Sequence, residues 1–121
     1  MAGGALGAVL RYKVYLIYSK PADTPKVITS TVLVNVLGCF LAGVLMYLIH
    51  DGYIASERVI TFLGIGLLGS LTTFSAFSLE ALKLIQIDLK KGLIYLLVQF
   101  TAALTGVAAG FEITAFMMRV L

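Results

Sequence analysis

Away from its loops, the chemistry of the chain rests on seven side chains: Asn35, Thr72, Thr73, Phe74, Ser75, Phe77 and Gln99. All are neutral. Amide and hydroxyl donors can replace part of an anion's hydration without binding it so tightly that it cannot leave. A benzene ring is positive at its edge and negative on its face, so ring edges can also touch an anion favourably, the converse of a cation over the face. Residues three apart on a helix share a side, which would bring Phe74 and Phe77 to one lane, although the same spacing also serves ordinary core packing. An amide in the setting of Asn35 is costly unless hydrogen-bonded. Two uses are open to it: an interhelical hydrogen bond, worth on the order of 1 kcal/mol, or donation to a permeating species. Arg11, followed by Tyr12, can snorkel to an interface or face a wet vestibule where a fixed cation attracts anions.

Other chemistries are excluded. The chain has no Ser/His/Asp set, no Cys/His ligand cluster and no glycine loop with a phosphate-binding lysine, so an enzyme is not expected. A proton-coupled transporter needs a titratable group deep in the membrane. The first two spans have no interior acid, and Glu80 and Glu112 fall toward span ends. Glu80 and Lys83, three residues apart, could pair on one helix face and mark the end of the third span entering the interface. The single cysteine, Cys39, lies in an apolar span and says nothing about redox compartment.

The elements that must position these residues are membrane helices. Of 121 residues, 60% are hydrophobic, and the mean hydropathy is +1.04. A soluble domain sits near 45–50% apolar. At roughly 20 residues per span, the length allows four spans with short loops. The expectation is one all-α integral membrane domain over residues 1–121, with spans near 2–18, 27–49, 58–84 and 92–118. Four short spans enclose little of a pore alone, so an oligomer is expected. The net charge of +3 suits contact with a membrane surface and gives no reason to invoke nucleic acid. No cleavable leader is expected, because Arg11 and Lys13 follow the first apolar stretch instead of preceding it.

Gly64 to Phe77 is the least ordinary stretch. It carries three glycines, a Ser70-Leu71-Thr72-Thr73 knot and the two phenylalanines, where a plain span would carry Leu, Ile and Val. Glycine and clustered hydroxyls make poor helix interior. Backbone that leaves the helix at membrane depth is tolerated only inside protein or beside a wet cavity, and so marks a candidate ion or substrate site. Gly66 and Gly69 equally suit a close helix contact. The third span is therefore expected to break near Gly69 to Thr73. Gly3 and Gly7 in the first span offer a small-residue packing surface, Ser19 to Lys26 is a firm polar boundary, and His50 closes the second span as an anchor.

Three motifs in order resemble the CrcB/Fluc fluoride channels over essentially the whole chain. They are Gly3-Gly4-x-x-Gly7-Ala8-x-x-Arg11-Tyr12, then Thr31-x-x-Val34-Asn35-x-x-Gly38-x-Phe40-x-x-Gly43, then Gly66-x-x-Gly69-x-x-Thr72-Thr73-Phe74-Ser75-x-Phe77. The resemblance implies passive, fluoride-selective export across the bacterial inner membrane through an antiparallel, dual-topology dimer with two pores. It implies that Phe74, Phe77 and Asn35 line the pore, with Thr73, Ser75 and Gln99 beside them and Arg11 at the vestibule. It also implies a structural sodium ion at the dimer centre, held by the backbone carbonyls of Gly69 and Thr72. Carbonyl oxygens suit a hard cation.

One departure stands out. The family usually carries polar side chains four apart on the fourth span, but here Ala103 and Val107 follow Gln99, while Thr101 and Thr105 fall on another face. A heterodimer with a homologous subunit is the alternative assembly. A small multidrug or metabolite antiporter and a non-transporting accessory subunit are the alternative functions. Charge near span ends bears on orientation. Lys20, Lys26, Lys90 and Lys91, with Lys83 close by, fall on one side, and Arg58 and Arg119 fall with the termini on the other. The positive-inside rule then favours cytoplasmic lysine loops, against the even insertion that a dual-topology homodimer needs.

Overall fold

A computed structural model describes residues 1–18 and 29–121. The Ser19–Lys26 boundary, with Lys20 and Lys26 of the orientation count, lies outside the described residues. Among those described there is no strand. Helix α1 runs Ala2–Tyr18, α2 Ser30–His50, and α3 Glu57–Ile60 leads straight into a π-helix over Thr61–Leu68. The helices α4 (Gly69–Leu71), α5 (Phe74–Ile87) and α6 (Leu89–Val120) follow. Among the described residues, three stretches are long and apolar enough to cross a bilayer: Ser30–His50, Glu57–Ile87 and Leu89–Val120. With its 17 residues, α1 reaches about 26 Å, just short of a hydrocarbon core of about 30 Å. The chain is thus an all-helical, multi-pass membrane protein, and its four helical passes fit the four-span expectation.

Side-chain oxygens start three of the helices. The Val32 amide donates to Thr29 Oγ1 (3.4 Å), the Ala76 amide to Thr73 Oγ1 (3.3 Å) and the Lys90 amide to Asp88 Oδ1 (3.0 Å). Each hydroxyl or carboxylate satisfies one of the amides that a helix start leaves without a partner. At the other end of α2, Gly52 turns the chain at φ +79°, a conformation that costs glycine little. His50 is largely exposed there, with Nδ1 3.1 Å from Asp51 Oδ1.

Glycine sets how closely the helices approach. The most extensive contact is α2 on α6. A Cβ on Gly43 would overlap the Val107 carbonyl oxygen, and one on Gly110 would overlap that of Phe40, so the two backbones touch directly. Helix α1 sits in the same manner on the π-helix: a side chain on Gly7 would meet Ser70 Oγ and the Leu67 oxygen, and Gly66 would place a Cβ 3.2 Å from Gly3 Cα. Backbone approach of this kind suits a membrane interior, where apolar burial drives helices together weakly and packing carries the association. The remaining core is Val32, Phe77, Ala81, Leu84 and Tyr95. Large apolar side chains such as Ile65 and Leu104 face outward, available to lipid.

The third pass is irregular twice. Its first half is π-helical, a form usually limited to single turns. Ser70 Oγ donates to the Gly66 oxygen (2.7 Å) and lies within reach of the Leu67 oxygen (3.2 Å), while Thr72 Oγ1 donates to the Leu68 oxygen (3.0 Å). Two residues then leave the helical path altogether: Thr72 at φ −78°, ψ 155° and Thr73 at φ −148°, ψ 118°.

The α2–α6 contact generates a direct test. Gly110→Val is expected to cost about 1–3 kcal/mol, the range for overpacking, read as a lower thermal midpoint in detergent. Gly4, whose added Cβ would meet no atom of the chain within 4 Å, is expected to tolerate alanine with the midpoint unchanged. Equal midpoints for Gly110→Val and the parent would show that the two backbones are not in contact.

Candidate ion pathway at the interrupted helix

Thr73 is the hinge of the site. Its amide donates to Asn35 Oδ1 (2.9 Å), and Asn35 Nδ2 donates back to the Thr73 carbonyl (3.2 Å). Asn35 therefore supplies in one planar group the donor and acceptor that the extended Thr73 lacks. Of the two open uses of Asn35, the interhelical bond is the one realised, and it leaves one Nδ2 hydrogen for another partner. The residue is nearly buried, at 8% exposure, as a satisfied mid-helix amide must be.

Two clefts meet at Thr73. The first, about 450 Å³, is lined by Arg11, Tyr12 and Tyr15 of α1, by Ser30 and Thr31 of α2, and by Thr73, Ser75 and Glu80. Arg11 and Glu80 thus line the same cleft. Ser75 Oγ lies 3.3 Å from Thr73 Oγ1 at the cleft floor. The second cleft, about 260 Å³, lies across the interruption and gathers Asn35, Cys39, Thr72, Phe74, Phe77 and Gln99. Six of the seven neutral residues singled out above, all but Ser75, converge on this cleft, which Thr73 also lines.

The two phenylalanines are neighbours with different surroundings. Their ring centroids are 5.6 Å apart at 54°. Phe77 is 6% exposed, stacked on Tyr95 and edge-on to Phe100, both at 5.8 Å. Phe74 is 76% exposed and projects away from the chain. The i,i+3 spacing brings the rings side by side on one cleft, Phe77 buried and Phe74 exposed. Gln99 is buried beside Phe77, and its Oε1 has no hydrogen-bond partner. Gly69 is exposed and Thr72 half-buried. Both border a shallow outer face with Gly38 and Ala42.

Glu80 departs from expectation. It does not pair with Lys83, and no Lys or Arg lies within ion-pair distance of a carboxylate among the described residues. Thr29 Oγ1, Thr31 Oγ1 and Tyr95 OH each donate to the Glu80 carboxylate at 2.7 Å. Both carboxylate oxygens are therefore engaged by hydroxyls from α2 and α6, and the side chain turns inward to the first cleft. Hydrogen bonds of this kind are worth more than neutral ones, which explains why the side chain turns away from the nearby lysine. The available sequence signal was its position seven residues after Thr73, two helical turns along the same face.

Arg11 and the hydrogen-bonded Glu80 share the first cleft, while the second gathers amide and hydroxyl groups and aromatic rings with no carboxylate. No group of three or more His, Cys, Asp or Glu side chains gathers among the described residues, so any bound cation would depend on backbone oxygens.

Residues 1–111 match the family model described as CrcB-like protein, Camphor Resistance (CrcB). The chain is 41% identical over 113 residues to the fluoride-specific ion channel FluC of Hahella chejuensis, an alignment covering 93% of this chain and 88% of that protein. It is 43% identical over 110 residues to the protein of the same name from Rhizobium meliloti, covering 90% and 87%. Fluoride-specific ion channel FluC 2 of Nocardia farcinica is 40% identical over 109 residues, covering 89% and 76%. With matched motifs in three helices and a family model spanning most of its length, the chain belongs to the CrcB family.

Proposed function

We propose that the chain is a fluoride-selective ion channel, not an enzyme, that lets fluoride leave the cytoplasm passively and so lowers its toxicity. The observation that carries this is the convergence, in a CrcB chain, of Asn35, Gln99 and both phenylalanines on one inner cleft beside a cation-mouthed outer one. Arg11 draws anions into the outer cleft. Thr73 and Ser75 offer hydroxyls at its floor, and Asn35, Gln99 and the ring edges succeed them. Neutral donors let the ion leave as readily as it enters. Fluoride is small and strongly hydrated, so replacing its water takes close donors, the role assigned here to Asn35 and Gln99 of the inner cleft.

The working assembly in this proposal is an antiparallel pair of four-span chains in the inner membrane, the third span interrupted at mid-membrane. Phe74 supports a pair: its ring is exposed on one chain, and a second chain would give it a lane to line. A structural sodium ion belongs to the proposal as well. The fit rests on donor chemistry: Gly69 and Thr72 stand where the helix ends and the next residues turn extended, so their carbonyls lie where helical partners run out. When bound, the ion would neutralise those oxygens and tie the chains together at the outer face. Gln99 supports a second reading, a heterodimer. Its Oε1 has no hydrogen-bond partner within this chain, and Ala103 one turn later provides no hydroxyl to continue a polar track.

Liposomes holding only this chain test the function. Rapid fluoride efflux with negligible chloride efflux is expected, and equal efflux of both ions would refute selectivity. Phe74→Ile removes a ring edge without opening a cavity in the chain's own core, and is expected to slow fluoride roughly tenfold or more, the scale of one or two edge contacts. Unchanged flux in Phe74→Ile and Phe77→Ile together would end their pore assignment.

C-terminal reporter fusions separate the assemblies. Signal from both sides of the membrane is expected for a homodimer. Signal only from outside, the side that the lysine-rich loops assign to the termini, would replace it with a heterodimer.

A further inference from the structure

We propose that Asn35 and Thr73 are positioning residues for the cation: their side chains hold the carbonyls of Gly69 and Thr72 open by capturing the two backbone amides that would otherwise close them. In an unbroken α-helix the Thr73 amide would bond the Gly69 oxygen, and the Ala76 amide would bond the Thr72 oxygen. Here the Thr73 amide donates to Asn35 Oδ1 at 2.9 Å, and the Ala76 amide donates to Thr73 Oγ1 at 3.3 Å. The neighbouring Thr72 amide is no substitute, because it donates to the Leu68 oxygen at 3.0 Å. Two side chains thus take the place of two helical rungs, and the rungs they replace are those of the two oxygens assigned to sodium.

Asn35 is held from both ends, since its Nδ2 donates to the Thr73 carbonyl at 3.2 Å. It cannot swing away to follow a passing anion without releasing the Thr73 amide. The asparagine of the anion cleft and the amides that would close the two cation oxygens are therefore linked through one extended residue, Thr73. A change at Asn35 should be felt at the cation.

Side-chain chemistry provides a series that separates this role from direct contact with fluoride. Aspartate at position 35 keeps an acceptor oxygen for the Thr73 amide, but loses the Nδ2 donor and adds a negative charge. Leucine keeps neither donor nor acceptor. At position 73, serine keeps the hydroxyl that takes the Ala76 amide, and valine removes it. Asn35→Asp is expected to retain the cation effect while losing fluoride flux, and Asn35→Leu to lose both.

The inference rests on the sodium proposal above, and one experiment distinguishes the failure of each. The thermal midpoint of the purified protein is measured in sodium chloride and in N-methyl-D-glucamine chloride at equal ionic strength. The parent is expected to melt higher in sodium. Asn35→Asp and Thr73→Ser should keep that rise, while Asn35→Leu and Thr73→Val should lose most of it. If the parent shows no sodium-specific rise, the cation is refuted and the positioning role with it. If the parent shows the rise and both Asn35→Leu and Thr73→Val keep it, the cation stands and the positioning role is refuted. Should Asn35→Leu fail to fold, Thr73→Val against Thr73→Ser decides by the same criterion.

Discussion

Backbone polarity at membrane depth is the constraint on which the rest depends. An amide or carbonyl without a partner in hydrocarbon costs several kcal/mol, so a span can leave the helical path only where other groups complete its hydrogen bonds. At Thr73 one side chain does this in both directions. The Asn35 amide, on a different helix and 38 residues away in sequence, takes the Thr73 N–H and returns a donor to its carbonyl. Thr72 answers with its own hydroxyl to Leu68, and the Thr73 hydroxyl starts the next helix. The interruption is thus a fully specified local structure. It is also why polar side chains are concentrated at this level of the molecule.

That local structure needs helices at fixed distances, which is the work of the glycines. Gly43, Gly106 and Gly110 let α2 and α6 meet backbone to backbone, and Gly3, Gly7 and Gly66 do the same for α1 and the π-helix. With α2 fixed against α6, Asn35 and Gln99 face one cleft. With α1 fixed against the third pass, Arg11 and the tyrosines wall the other. Glu80 reinforces the outer cleft by collecting hydroxyls from α2 and α6. An anionic group there would oppose fluoride if left free, and three donated hydrogen bonds engage its oxygens.

The helical passes, the family and most of the residues around the site were legible in the sequence. Hydropathy marks the helices, and Gly69 to Phe77 stands out because glycine, hydroxyls and aromatic rings gather where a plain span would carry Leu, Ile and Val. Less legible was everything decided by direction. The period of a helix brings Phe74 and Phe77 together, but not that one is buried against Tyr95 and the other turned outward. Proximity to Lys83 suggested an interfacial Glu80, because sequence spacing is blind to hydroxyls arriving from other helices. The π-helix over Thr61–Leu68 had no periodic signal at all in an almost uniformly apolar run. Asn35 left two uses open, and the geometry of Thr73 shows the interhelical bond being made while one Nδ2 hydrogen stays free for the other.

Selectivity built from neutral donors and ring edges has a direct electrical signature. The decisive measurement is the reversal potential of a planar bilayer containing only this chain, with fluoride on one side and an equal concentration of chloride on the other. A large potential, of the sign produced by fluoride alone carrying current, is expected. A reversal potential near zero with measurable current would mean that the clefts pass both anions, and would contradict a fluoride-selective pathway.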